Sequence, residues 1–310
     1  MKGPRALLWV CLAAAAVAVA LASPWASFIL TVALAKGLAA LGVALLLRAG
    51  LMSLGHALFY ICGGYGAAYL ARWLGVTDLL LLLGAGFLSA TVLGLFTGAV
   101  LVRYRAIFFA MLNLAASMVF FSLVTKLYNL TGGSDGMPLP VPTMFGLKPG
   151  QGVFYLTLAC VFVCAGGLRR YLDSAMGQGL GAIATNEIRL EYLGISVNGL
   201  LFVNYAISAG LGGLGGALAA IAIGHVTPEL FFWTTSAQLL LGAALGGAGS
   251  VAGPFAGMLL LEGVRTAASQ YAPLLWEMAM GLCALAVALF VPQGLSGIVD
   301  LPQQWKRAVQ

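Results

Sequence analysis

The sequence predicts an all-α fold, a polytopic transmembrane helix bundle of about ten spans. Three observations point there. Hydrophobic residues make up 62% of the 310 positions and charged residues only 8%, where a soluble globular chain carries about 25% charge to cover its surface. The apolar runs approach the roughly 20 residues that a ~30 Å hydrocarbon core demands, and they are continuous rather than alternating, as barrel strands would be. Finally, 42 glycines, many spaced i, i+4, give helices the close backbone approach that association in lipid relies on.

The elements follow in order. The run 6–22 sits behind Lys2 and Arg5 and reads as a first span. Its end, Ala20-Leu21-Ala22, resembles a signal-peptidase site, so a cleaved leader is the alternative. Runs at 27–47, 53–71, 79–102, 106–126, 152–168 and 198–222 each have the length of a span. Those at 235–247 and 253–269 are short and Gly-rich, predicting a tight pair or one broken helix, and 275–291 closes the set. Residues 1–310 form a single transmembrane domain, since no loop is long enough for a soluble one. The repeats Gly94/Gly98, Gly212/Gly216, Gly242/Gly246 and Gly249/Gly253/Gly257 are read as helix-packing faces.

Lys and Arg near span ends set orientation. With Lys2 and Arg5 in the cytoplasm, Arg48, Arg103, Arg105, Arg169, Arg170, Arg189, Lys306 and Arg307 also fall inside, while Arg72, Lys126, Lys148, Asp78, Asp135 and Glu229 fall outside. Both termini are therefore expected in the cytoplasm. The net charge of +6 is spread over loops in this way and does not suggest a nucleic-acid surface. Cys11, Cys62, Cys160, Cys164 and Cys283 all lie in apolar runs, without zinc or redox spacing, and read as small hydrophobes. No metal site is expected.

Motifs for chemistry are missing. Gly210-Leu211-Gly212-Gly213-Leu214-Gly215 satisfies GxGxxG, but no strand precedes it and no acid follows at the needed distance, so packing is the reading. There is no P-loop, hence no P-loop ATP site in this chain. No Ser/His/Asp grouping has interpretable spacing, and catalysis is not expected.

The longest inside segment, Arg169 to Ser196, is polar. Ser174 can cap one short helix. Asn186–Leu193 reads as a second, with Ile188 and Leu193 on its apolar side and Asn186, Glu187, Arg189 and Glu191 on its polar side. Gly194 ends it. The segment is either a solvated loop or a coupling element, two short cytoplasmic helices (171–195) that dock in a groove on another protein.

Charged and polar groups inside spans mark functional or paired sites. Glu262 and Arg265, three apart on one helix, can pair locally. They read as a structural pair or as part of a gate touching a zwitterionic solute, with Lys36 and Glu277 less central. His56 reads as a packing residue or as a pathway residue with Ser53 and Asn113 beside it. The Gly-rich loop Thr131–Gly136 reads as an outside turn.

Five stretches, in order, resemble the branched-chain amino-acid permease family of bacterial ABC importers. They are Leu51-Met52-Ser53-Leu54-Gly55-His56-Ala57-Leu58-Phe59; Leu130-Thr131-Gly132-Gly133-Ser134-Asp135-Gly136; Ala182 to Ile195; Leu245-Gly246-Gly247-Ala248-Gly249-Ser250-Val251-Ala252-Gly253-Pro254; and Pro292-Gln293-Gly294-Leu295-Ser296-Gly297. The chain departs from the family pattern at Ala44, Arg48 and Ala184-Thr185. The resemblance implies a type II ABC-importer permease in the inner membrane. It implies a second permease subunit, two ATPase subunits that bind ATP and Mg, and a periplasmic solute-binding protein. It assigns ATPase coupling to Met176, Gln178, Ala182, Ile183, Asn186, Glu187, Arg189, Leu190, Glu191, Leu193 and Gly194. Branched-chain amino acids are the implied solute. Urea, short amides, aromatic acids and sugars stay open, and an ion-coupled secondary transporter is the alternative of another class.

Overall fold

A computed structural model describes residues 23–140, 149–291 and 294–296. The expected span 6–22, both terminal basic clusters and Lys148 lie outside the described residues. The protein is a helical bundle. Helices α1 (Pro24–Arg48), α2 (Ala57–Leu74), α3 (Leu79–Leu101) and α4 (Ala106–Lys126) come first. After the short α5 (Tyr128–Thr131), a 3₁₀ turn (Gly133–Asp135) leads to the two-residue strand β1 (Met137–Pro138). Next are α6 (Pro149–Leu172), the short α7 (Ala175–Thr185) and α8 (Glu187–Tyr192), and the long α9 (Val197–Ile223). Strand β2 (His225–Val226) and a 3₁₀ turn (Pro228–Phe231) precede α10 (Trp233–Gly246), α11 (Gly253–Tyr271) and α12 (Trp276–Phe290). Helices α1, α3, α4, α6 and α9 have the length and apolarity to cross a membrane.

Local chemistry explains the boundaries. Ser23 caps α1 by accepting from the Ala26 amide at 3.2 Å, with Pro24 in the first turn. Asp78 caps α3 through the Leu80 amide, and Ser196 caps α9 through the Gly199 amide. Gly224, at φ +78°, ends α9 in the left-handed conformation glycine tolerates best.

Helix α1 is buried on every side from Thr31 to Leu46, as a helix apolar all round should be. Helix α9 packs along α1, α2 and α3; α11 packs on α1 and α10; α6 lies against α1. Glycine sets the closeness of the α2–α3–α9 contact. A methyl group on Gly213 would stand 2.6 Å from the Gly86 carbonyl oxygen, and one on Gly216 would overlap the Tyr60 carbonyl. Gly212 lies on Phe59 and His56, Gly94 on Ala209, and Gly98 on Tyr205. In the α10–α11 pair, Gly242 and Gly246 meet Gly257 and Gly253.

Two expectations are corrected and an open one is decided. Gly249 belongs to no packing face: it sits in the turn between α10 and α11 with open space where a side chain would go. Of the two alternatives for the α10–α11 region, the structure bears out the tight pair: two helices joined by that turn. The third span starts at Ala57, not at residue 53; Leu51–Gly55 is not helical. That segment does not lie at the end of the bundle. Ser208, which bonds Gly42, also touches His56, and Gly42 is about 9 Å of helix inward from Arg48. The chain therefore turns back at Gly50 and re-enters the bundle before α2 begins. Non-helical backbone is tolerated at membrane depth only where protein covers it, and Ser53, Gly55 and His56 are all buried.

Candidate translocation and coupling sites

One end of the bundle gathers Arg48, Arg103, Arg105, Arg169, Arg170 and Arg189, and with them α7 and α8. Ser174 accepts from the Gly177 amide to start α7. Gly177 lies directly on the Tyr171–Leu172 backbone, where a side chain would collide. Asn186 closes α7 and caps α8, its side chain accepting from the Arg189 amide at 3.1 Å. Gly194 ends α8 at φ +80°. The face toward the bundle carries Leu180, Ile183 and Leu190, all buried. Ala182 is half-buried, whereas Met176, Gln178, Asn186, Arg189, Glu191, Leu193 and Gly194 are exposed. The expected apolar side of α8 is therefore corrected: Leu190 is its buried residue, while Ile188 is 62%, Tyr192 87% and Leu193 71% exposed. In a six-residue helix anchored by one leucine, the remaining apolar side chains have no bundle surface to reach.

Glu187 does not point away from the bundle. Its Oε1 accepts from Arg105 Nε at 2.7 Å. The same guanidinium donates to Asn198 Oδ1 at 2.8 Å, to the Tyr104 carbonyl at 3.3 Å and to the Val102 carbonyl. By sequence Arg105 entered only as a basic residue for orientation, and Asn198 not at all; nothing in the spacing relates positions this far apart.

Deeper in the bundle a buried polar group joins five helices. His56 precedes α2, and its Nε2 lies 3.3 Å from the Ser208 carbonyl oxygen and 3.4 Å from Ser208 Oγ. A carbonyl only accepts, so Nε2 carries the hydrogen. Ser208 Oγ donates to the Gly42 carbonyl at 2.6 Å. The His56 ring meets Phe59 edge-on at 5.4 Å. Asn113 donates to the Phe109 carbonyl and accepts from the Tyr205 hydroxyl at 2.6 Å, and Gly55 is pressed against the Asn113 backbone. The Ala57 amide, first in α2, donates to Ser236 Oγ in the first turn of α10 at 2.9 Å. Among the described residues, two buried atoms in this region have no partner, His56 Nδ1 and Ser53 Oγ. Unpaired buried polar atoms are uncommon enough to need a reason.

Glu262 and Arg265 belong elsewhere. Lys36 Nζ reaches both carboxylate oxygens of Glu262, at 2.9 and 3.1 Å, across the α1–α11 contact. Arg265 touches Glu262 at 3.4 Å and lies 5.3 Å over the Trp276 ring. The expected local pair exists, but Lys36 is the closer partner, which corrects its reading as less central. Among the described residues no hydrogen bond joins Glu262 or Arg265 to the His56 group. Nor, among the described residues, do three His, Cys, Asp or Glu side chains cluster to hold a metal.

At the opposite end of the bundle, Gly132, Gly133 and Gly136 all take positive φ. They turn the chain into β1, which pairs antiparallel with β2 through Met137–Val226 and Pro138–His225. His225 Nε2 donates to the Asp135 carbonyl at 2.8 Å. The Gly-rich loop and the end of α9 are thus tied together by backbone pairing and one side-chain hydrogen bond.

Comparisons with known proteins agree with this architecture. The family described as "Branched-chain amino acid transport system / permease component" matches residues 25–291. The high-affinity branched-chain amino acid transport system permease protein LivM of Salmonella typhimurium is 28% identical over 263 residues, 76% of this chain and 61% of LivM. LivM of Escherichia coli strain K12 has the same identity and coverage. The chain thus spans about three fifths of these relatives' length. No solved structure matches. The chain belongs to the permease-component family of branched-chain amino acid transport systems, which the match to residues 25–291 establishes.

Proposed function

We propose that this chain is one permease subunit of an ATP-driven importer that carries branched-chain amino acids across the bacterial inner membrane. The observation that carries this reading is the α7–α8 unit. Its helices are capped at both ends, it is anchored by Leu180, Ile183 and Leu190, and it still leaves Met176, Ile188, Tyr192 and Leu193 exposed. An apolar patch held on a fixed scaffold at the basic end, the end the positive-inside rule assigns to the cytoplasm, suits a separate ATP-hydrolysing subunit. Two such subunits, a second permease and a solute-binding protein at the Gly132–Gly136 end complete the importer. The relatives' names support the amino-acid solute.

In this mechanism, closure of the ATPase pair displaces α7–α8, and packed helices carry the motion as rigid bodies. Solute passes beside the re-entrant Leu51–His56 segment, where His56 Nδ1 is a free acceptor for an ammonium or a water and Ser53 Oγ a free hydroxyl. Glu262 is occupied by Lys36 and holds α1 to α11. The test is uptake of radiolabelled leucine into proteoliposomes holding the complex purified through a tag on this chain, with and without ATP. ATP-dependent uptake that persists with ionophores is expected. Uptake that needs an ion gradient and no ATP would replace this reading with a secondary transporter. Competition by urea, aromatic acids or ribose in place of leucine and isoleucine would replace the solute.

A further inference from the structure

We propose that Arg105 is the pin through which displacement of the coupling helices enters the bundle; the idea rests on the coupling role of α7–α8 given above. Arg105 spends its donors on groups from three parts of the chain. Nε binds Glu187, the first residue of α8. One terminal nitrogen binds Asn198, in the first turn of α9. The other binds the carbonyls of Val102 and Tyr104, just past the end of α3. A planar fork of five donors makes such a junction; a lysine ammonium, a point charge on a flexible stem, holds its partners with less fixed geometry.

The backbone next to Arg105 supports a built junction. Ala106, the first residue of α4, has φ +50°, and it is the only described non-glycine residue with positive φ. Residues other than glycine rarely take that conformation, and it persists only where surrounding contacts over-determine it. It turns the chain from α3 into α4 at the residue beside the guanidinium. The two helices that start at this junction are those that meet deeper in the bundle. Helix α4 supplies Asn113 and α9 supplies Tyr205, joined at 2.6 Å, while α9 also supplies Ser208 beneath His56. Moving Glu187 therefore drags the starts of α4 and α9 together, and their far contacts lie on the proposed solute route. The Arg105 and Glu187 side chains are 30% and 35% exposed, so the ion pair adds little to folding. A pin suits that: it transmits position without being needed for stability.

The experiment compares Arg105→Ala, Arg105→Lys and Asn198→Ala in the whole complex in proteoliposomes, measuring leucine taken up per ATP hydrolysed. Arg105→Ala is expected to lower that ratio about tenfold and Asn198→Ala about threefold, with ATP hydrolysis within about twofold of wild type and complex yield unchanged. Arg105→Lys is expected to recover only part of the ratio. The pin is overturned if Asn198→Ala and Arg105→Ala keep the wild-type ratio, or if hydrolysis and yield fall in step with uptake. Should Arg105→Ala not assemble, Asn198→Ala, on an exposed side chain, decides alone. A wild-type complex without ATP-driven leucine uptake would instead remove the functional reading on which the pin rests.

Discussion

Lys36 and Glu262 stand 226 positions apart in sequence and 2.9 Å apart in space. Each charge is costly in a membrane interior unless paired, and breaking a buried pair leaves the survivor uncompensated. Lys36→Met leaves Glu262 with only Arg265, at 3.4 Å on a half-exposed side chain. It is expected to destabilise the protein by about 3 kcal/mol, read as a lower apparent melting temperature in detergent. Lys36→Met with Glu262→Met together should recover most of that loss, because the pair is removed whole. The sequence already displayed all three charges. What it displays is neighbours on one helix, so the i, i+3 Arg265 was legible and the cross-bundle Lys36 was not. His56 shows the same limit. Its buried position was readable as packing or pathway, but its partner, Ser208, is one of many small residues in an apolar helix. His56→Phe keeps the ring contact with Phe59 and removes the Nε2 donor and the free Nδ1 acceptor. Leucine uptake is expected to fall about tenfold with melting temperature within a few degrees of wild type.

Between elements, helices were more legible than their ends. Apolar length and caps such as Ser174 and Gly194 marked them, since capping is local chemistry. The start of α2 was misplaced by four residues because Leu51–Leu54 continues the apolar run. Tertiary contacts decide it: Gly55 lies on the Asn113 backbone, and Ser236 takes the Ala57 amide. Glycine spacing was an unequal guide for the same reason. A Cβ on Gly213 meets both Ala90 and the Gly86 carbonyl, whereas a Cβ on Gly249 meets nothing within 4 Å. Gly213→Val should overpack α9 against α3, at 1–3 kcal/mol or more by the usual order of magnitude for overpacking, and is expected to abolish monodisperse protein in size-exclusion chromatography. Gly249→Ala, in the spacing that looked equivalent, should leave yield and melting temperature unchanged. If the two variants behave alike, the contact described between α3 and α9 is wrong.

For the whole molecule, the two ends are built for different work. The end with β1 and β2 is closed by paired backbone and a glycine turn, while the basic end presents an exposed apolar helical patch. Hydropathy placed the chain in a membrane, because it is a sum over many residues; which apolar residues of α8 face outward was not legible, because six residues give too short a pattern to fix a face. That detail carries a prediction. Tyr192 and Leu193 are among the most exposed apolar residues of the basic end and make no side-chain hydrogen bond among the described residues, so replacing them should leave the fold alone. Central apolar contacts nevertheless dominate a protein interface, where one truncated anchor costs ~2 kcal/mol or more. Tyr192→Ser with Leu193→Asp is therefore expected to leave the melting temperature of the isolated chain unchanged and to reduce recovery of the ATP-hydrolysing subunits on a tag carried by this chain at least tenfold. Ile188→Ser should weaken recovery less, since its single side chain is 62% exposed at the edge nearer the Arg105 junction. Equal recovery for all three proteins would mean that the ATP-hydrolysing subunits dock on a different surface.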